Sequence, residues 1–102
     1  MSQTWIIAID RQPGQALASF KPQSQTVAAG DIVYWRNNDE QAEHQVKPTV
    51  GANDAWWDFP IPQKLQAQPA PTSQQAVSFS AAATITYVCA LHPNEKGTII
   101  VQ

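Results

Sequence analysis

The sequence predicts an all-β protein folded as a two-sheet, Greek-key β-sandwich. Three observations support this class. Short runs of β-branched and aromatic residues recur along the 102 residues, and several alternate apolar with polar side chains as half-buried strands do. Turn-forming residues separate these runs. Apolar residues with the spacing of an amphipathic helix are almost absent, so we expect one β domain spanning 1–102.

The first half of the chain contains five predicted strands, each a short run closed by turn residues. They cover 4–10, 16–22, 25–27, 32–37 and 44–47. The turn-like segment 11–14, Arg-Gln-Pro-Gly, closes the first strand. The fourth strand alternates most clearly and directs Val33 and Trp35 towards the core. Residues 37–43 are polar except for Ala42 and are predicted to form a loop before His44.

The middle of the chain predicts a long excursion. Residues 51–73 contain four prolines, which exclude a long helix and a central strand. A short strand is expected at 56–59, with one indole of Trp56 and Trp57 facing inward and the other covering the surface of the sandwich or forming a docking surface.

Three more strands are predicted near the end of the chain, at 75–80, 84–89 and 98–101. Alternation in the second of these places Tyr87 and Cys89 on one face, which we expect to be the inner one. Cys89 would therefore end a strand with its thiol pointing into the top of the core. The two-residue turn after Cys89 would return His92 to the same place.

Composition excludes several classes of function. Charged residues make up 14% of the chain and the net charge is −2, whereas nucleic-acid binding requires a concentrated basic face. The same balance argues against a polybasic membrane-surface role. No segment approaches the roughly 20 apolar residues of a membrane span, and the apolar run at 5–9 is too short for a signal peptide. The single cysteine excludes an intramolecular disulfide.

The strongest functional signal is the pattern Cys89-x-x-His92-Pro93-x-Glu95, together with His44 upstream. One thiolate and two imidazoles from two loops form the ligand set of electron-transfer copper centres. The plain interpretations are a small buried cysteine and a solvated loop histidine. A zinc site is also conceivable, although structural zinc usually has four cysteine or histidine ligands. A catalytic Cys–His pair would need an activating glycine-rich turn or helix terminus, and none is predicted here.

In these segments the chain resembles the cupredoxins, the blue-copper family that includes plastocyanin and amicyanin. The resemblance rests on 30–44, on the strand end at Cys89 and on the loop that follows it, and it covers roughly 16–102. It implies one copper per chain, held by His44, Cys89 and His92, and single-electron transfer rather than enzyme activity. It also implies a monomer that works in the periplasm or otherwise outside the cytoplasm, with redox partner proteins docking near His92.

Glu95 departs from the family's pattern, which in amicyanin-like loops has methionine at this place. Met1 is the only methionine of the chain, and the plastocyanin-type spacing would fall on Gly97. We expect Glu95 to be the axial ligand. The alternative is an exposed carboxylate beside Lys96, with water, a backbone oxygen or nothing at the axial position. A carboxylate is harder than a thioether and favours the oxidised ion, so it would lower the reduction potential.

Rival functions are a copper-delivery or copper-buffering protein, an open site that binds a small molecule such as nitric oxide, and a metal-free binding module. Some supporting roles are also expected. A bound ion would tie the two sheets together through His44. Asn38 or Asp39 would pin the two copper loops by a hydrogen bond near Ala90. Acidic residues of the 37–43 loop, Asp39 among them, could steer a basic partner.

Overall fold

In the computed structural model, which describes residues 3–50, 59–63, 72–73 and 76–102, the regular structure consists of nine strands. Two sheets contain them, one of four strands and one of five. The strands are β1 Thr4–Asp10, β2 Ser19–Lys21, β3 Ser24–Val27, β4 Ile32–Asn37, β5 His44–Val50, β6 Phe59–Ile61, β7 Val77–Ser78, β8 Ala83–Cys89 and β9 His92–Val101. No helix in this part of the chain is long and apolar enough to cross a membrane.

Both sheets are mixed. The smaller has the order β2-β1-β4-β7, with β1 parallel to β4, and the larger has the order β3-β9-β8-β5-β6, with β3 parallel to β9. The chain crosses between the sheets after β2, β3, β4, β6 and β7, which gives the Greek-key connections of a sandwich. The predicted all-β, two-sheet class is therefore confirmed.

The core lies between the sheets and is organised around Tyr87. Its ring meets Trp35 edge to face at 5.3 Å between centroids and Phe20 at 4.8 Å. Such edge-to-face pairs add stability beyond the area they bury. Gly97 lies opposite Tyr87 across the β8–β9 pair, and a Cβ there would stand 2.3 Å from the Tyr87 ring. Glycine is required at position 97 because the aromatic ring occupies the space of a side chain.

The alternation of apolar and polar residues correctly predicted which side chains of β4 and β8 face the core. Val33 and Trp35 on β4, and Tyr87 and Cys89 on β8, are fully buried as expected. Of the strand expected at 56–59, residues 56–58 lie outside the described residues, whereas Phe59 is the first residue of β6.

Other predicted bounds differ from those of the structure. β2 is shorter than 16–22, because the residues before Ser19 leave the sheet and contact the site described below. β9 starts at His92 rather than at 98, because its first residues pair with β8. β5 continues through Pro48, where a register shift accommodates the residue that lacks an N–H.

Candidate metal centre

The site lies at one end of the five-stranded sheet, where β5 begins, β8 ends and β9 begins. These strands are neighbours in the order β9-β8-β5, so their ends bring His44, Cys89 and His92 side by side. Cys89 pairs with Val46 on one side and with His92 on the other. A turn at residues 90–91 joins Cys89 to His92, as the sequence predicted.

A bulge in β9 turns Glu95 inward. Val88 pairs with Lys96, whereas the next residue, Cys89, pairs with His92, so residues 93–95 have no counterpart on β8. Such an insertion bends the strand and re-aims side chains. The result is that Glu95 is 2% exposed while its neighbour Lys96 faces water. The interpretation of Glu95 as an exposed loop carboxylate is therefore wrong.

Four potential ligand atoms converge at this point. Glu95 Oε1 lies 3.0 Å from His44 Nδ1 and 3.3 Å from His92 Nδ1. Cys89 Sγ lies 3.5 Å from His92 Nδ1. All four ligand atoms are within 4.8 Å of one another, so the group could hold one metal ion.

Two atoms of the group indicate that an ion belongs there. His44 Nδ1 and Glu95 Oε1 are buried, and neither makes a hydrogen bond within the described part of the chain. They approach to 3.0 Å, but not in the geometry of a hydrogen bond to each other. Buried polar atoms without partners cost free energy, and a cation between these lone pairs would remove that cost.

The Cys89 thiol fits the same interpretation. Burial raises its pKa, although hydrogen bonds from the backbone of Gln45, Leu91 and His92 oppose that rise. A buried thiolate therefore needs a neighbouring cation. A sulfur, two imidazole nitrogens and one carboxylate oxygen suit a thiophilic transition metal of the copper or zinc type, not calcium or magnesium.

A second layer of contacts orients His44. Its Nε2 lies 2.9 Å from Asp39 Oδ2, and because a carboxylate accepts hydrogen bonds, Nε2 carries the proton and Nδ1 keeps its lone pair for the metal. Arg11 also donates to Asp39, at 2.9 Å from Nη2 and 3.1 Å from Nε. Burial alone would raise the pKa of Asp39, but hydrogen bonds from Arg11, the Gln41 N–H and His44 lower it below its ordinary value.

Glu95 is held from the other sheet. The backbone N–H of Ala18, just before β2, donates to Glu95 Oε2 at 2.7 Å. This short bond to an ionised acceptor fixes one carboxylate oxygen and leaves Oε1 facing the two imidazoles. The carboxylate is thus oriented to present a single oxygen to the centre.

Two expected supporting roles are wrong, and the expected steering role fails for Asp39. The four candidate ligands all lie on the five-stranded sheet, so an ion would not tie the two sheets together; Asp39, after β4, and the Ala18 N–H make that link instead. Asp39 is 1% exposed and bonded to Arg11, so it is not a steering charge. The Ala90 N–H donates to the Gln45 carbonyl at 2.7 Å, not to a side chain of the 37–43 loop.

Arg11 and Ala18 also belong to the site, although no sequence pattern predicts it. Arg11 belongs to a turn-like segment, and Ala18 acts through its backbone, so neither side chain carries a motif. Their contacts with Asp39 and Glu95 span 28 and 77 positions of sequence, and no local pattern encodes such a distance.

The site opens to solvent only at one imidazole. The side chain of His92 is 30% exposed, whereas those of His44, Cys89 and Glu95 are buried. Around it, Leu91 is 53% exposed and Pro93 also faces water.

No protein-family model matches the chain, and no functionally curated protein matches it in sequence. Solved structures do resemble it. A purple cupredoxin from Nitrosopumilus maritimus is 18% identical, with both chains fully covered and a TM-score of 0.72. Amicyanin from Paracoccus versutus is 22% identical, covering 97% of this chain and 81% of its own, with a TM-score of 0.70. The Cu(I) form of an amicyanin mutant is 21% identical, covering 97% and 82%, with a TM-score of 0.68.

These likenesses, over nearly the whole of each chain, show that the protein has the cupredoxin fold. The His, Cys, His and Glu cluster lies at one end of that fold, and its composition fits a blue-copper site in which glutamate replaces methionine.

Proposed function

We propose that the protein binds one copper ion through His44, Cys89, His92 and Glu95 and carries single electrons between larger redox proteins. The observation that carries this proposal is the convergence of the four donor atoms within 4.8 Å, at a point where two of them are buried without hydrogen bonds. The cupredoxin fold and the solved Cu(I) form of an amicyanin mutant support copper over zinc.

Copper bound there would supply a centre that alternates between Cu(I) and Cu(II). The chain's part is to keep the ligands still, because electron transfer is slowed when ligands must rearrange. His44 is held by Asp39, Cys89 by the strand that it ends, and Glu95 by the Ala18 N–H. Three of the four donors therefore have a second contact that restricts their movement.

The path for electrons is proposed to run through His92. It is the exposed member of the cluster, and the exposed Leu91 and Pro93 next to it form an apolar rim. A partner protein that covers this rim would exclude water and come within contact distance of the imidazole. Because it shuttles electrons in this way, the protein is proposed to act as a carrier and not as an enzyme.

Glu95 sets the expected direction of the reduction potential. A Cys89 thiolate and a Glu95 carboxylate together offer two negative charges, which neutralise Cu(II) but leave Cu(I) in a net negative site. The oxidised state is therefore favoured, and the potential should be lower than with a neutral thioether at the same place.

The first experiment is the visible and EPR spectrum of the protein loaded with one equivalent of Cu(II). We expect an intense thiolate-to-copper charge-transfer band, and Cys89→Ser is the matched control that should lack it. A pale spectrum without this band in the wild type would refute the proposal. A band that changes on addition of azide would favour the open, small-molecule-binding site instead.

A second measurement separates electron transfer from copper delivery. The self-exchange rate of electrons, measured by NMR on mixtures of the two oxidation states, should be fast, and loss of copper to a competing chelator should be slow. The reverse pattern would favour copper handling.

Location and assembly are proposals that rest on the cupredoxin resemblance. We propose that the protein works outside the cytoplasm as a monomer. Cell fractionation of the native host and sedimentation of the purified protein test the two statements separately.

A further inference from the structure

Arg11 contacts Asp39, which supports His44, and it also contacts the segment whose N–H group supports Glu95. Its guanidinium forks onto Asp39, with Nε 3.1 Å from both carboxylate oxygens and Nη2 2.9 Å from Oδ2. Its remaining nitrogen, Nη1, donates to the carbonyl of Ala16 at 2.5 Å. The side chain is 8% exposed, so these contacts are largely shielded from water.

The first contact leads to His44. Asp39 Oδ2 accepts hydrogen bonds from both Arg11 Nη2 and His44 Nε2, each at 2.9 Å. The other oxygen, Oδ1, also accepts the N–H of Gln41. A carboxylate held by several donors can hold the imidazole in one orientation and one tautomer.

The second contact leads to Glu95. Ala16 lies two residues before Ala18, whose N–H donates to Glu95 Oε2 at 2.7 Å. Residues 11–18 form no strand of their own, so the position of the Ala18 N–H depends on contacts such as the one between Arg11 and the Ala16 carbonyl.

We propose that Arg11 is a positioning residue of the metal centre, which orients His44 through Asp39 and Glu95 through the segment 16–18 at the same time. Its effect on copper rests on the proposed function, whereas the positioning itself exists in the metal-free protein.

The charge balance of the site explains why a guanidinium is suitable. Asp39 brings a negative charge next to a centre that already contains a thiolate and a carboxylate, and Arg11 compensates it. A planar fork with five donors can hold a carboxylate in two directions and still reach a carbonyl. Lysine supplies the charge but not the fork, which makes Arg11→Lys the informative substitution.

The test begins with NMR of the metal-free protein, and it follows two signals. The Ala18 amide proton should lie downfield, because its bond to Glu95 is short and charge-assisted. The ring nitrogens of His44 should show one tautomer, protonated at Nε2. Arg11→Lys and Arg11→Met should shift the Ala18 amide upfield and mix the His44 tautomers. The exposed Arg36→Lys is the matched control and should change neither signal.

The loaded protein gives a second readout. Arg11→Lys should weaken copper affinity by about 10-fold, the low end of the usual cost of losing a ligand's partner, because Arg11 acts on the ligands through Asp39 and the 16–18 segment. It should also alter the copper EPR spectrum. Arg36→Lys should leave both unchanged. A residue with a merely structural role would lower the unfolding temperature without changing the spectrum of the folded, loaded protein.

Several outcomes would overturn the proposal. One is a folded Arg11→Lys protein in which the Ala18 and His44 signals stay in place. Another is a folded Arg11→Lys protein in which only one of the two signals moves. If neither variant folds, hydrogen exchange of the wild type tests the proposal. The Arg11 Nε–H, which donates to Asp39, must be protected from exchange with water, and a freely exchanging Nε–H would contradict the positioning role. A wild type that shows the NMR signals but binds no copper would refute the proposed function alone.

Discussion

Buried carboxylates lie at both ends of β4, and they are used differently. Before its first residue, Asp31 accepts hydrogen bonds from the Gln3 N–H, the Ala28 N–H and the Trp5 indole, each at 2.9 Å. At the opposite end, in the metal centre, Glu95 accepts one hydrogen bond, from the Ala18 N–H to Oε2. Its other oxygen, Oε1, makes no hydrogen bond within the described residues and faces the two imidazoles. A carboxylate whose two oxygens both accept hydrogen bonds from the fold is anchored by them, whereas a buried oxygen without a donor keeps its lone pairs available to a cation.

Asp39 lies between these extremes. It is next to the metal centre, but Arg11, Gln41 and His44 occupy both of its oxygens. It therefore acts on the centre through His44 and not as a ligand. Proximity to the site is thus a poorer guide to a carboxylate's role than the count of donors that it already accepts.

The largest effect should come from removing the thiolate. Cys89→Ala should abolish the charge-transfer band of the copper-loaded protein. It should also abolish most of the stabilisation by a bound metal ion. For the wild type with Zn²⁺, that stabilisation is about 4 kcal/mol when the free Zn²⁺ concentration is about a thousand times the dissociation constant. Chemical denaturation with and without Zn²⁺ measures it. Asp31→Asn is the control and should keep the full gain with metal. An equal gain in Cys89→Ala would show that the centre does not use the thiolate.

Glu95→Gln should raise the reduction potential by on the order of 100 mV. A charge about 4 Å away contributes about 4 kcal/mol at an effective dielectric constant of about 20. That energy is about three factors of ten, and at about 59 mV for each factor it corresponds to about 170 mV for one electron. Voltammetry of the copper-loaded protein measures the change, and the charge-transfer band should move with it. Asp31→Asn removes a negative charge at the end of β4 away from the metal centre, and it should leave the reduction potential and the charge-transfer band unchanged. If Glu95→Gln also changed neither, Glu95 would be structural like Asp31.

Gly97→Ala should lower the free energy of unfolding by about 1–3 kcal/mol, the usual cost of overpacking a core. The new methyl group would meet the Tyr87 ring, between the two ends of the sandwich. Denaturant titration of the metal-free protein measures the loss. Gly14→Ala is the control, since no atom lies within 4 Å and only its positive φ of 84° adds strain, so the loss there should be smaller. Equal losses would show that the ring moves aside.

The smallest effect should be the acid dependence contributed by Asp31. Hydrogen bonds from the Gln3 N–H, the Trp5 indole and the Ala28 N–H lower its pKa below the ordinary value of 3.8. Its stabilising contribution is therefore present above pH 3.8 and is lost as the pH falls through the lowered pKa of the folded state. Asp31→Asn should flatten the fall of the unfolding temperature in this acidic range, compared with Asp10→Asn as control. An unchanged slope would contradict this role.

Much of the fold could be predicted because strand alternation is local. The faces of β4 and β8 follow from residues two positions apart, and Trp35 and Tyr87 were placed in the core on that basis. The ends of β2 and β9 could not be predicted in the same way. They depend on Glu95 reaching Ala18 and on which residues of β9 pair with β8.

For the candidate site, the amino-acid sequence specifies which donors are available, namely one thiol, two imidazoles and a glutamate where methionine is usual. The tertiary structure turns Glu95 inward, because the bulge at 93–95 arises from pairing with another strand. It also decided that Asp39 supports His44 and that Arg11 compensates its charge. Ligand types are properties of single residues, whereas orientation and charge compensation arise from contacts between segments far apart in the chain.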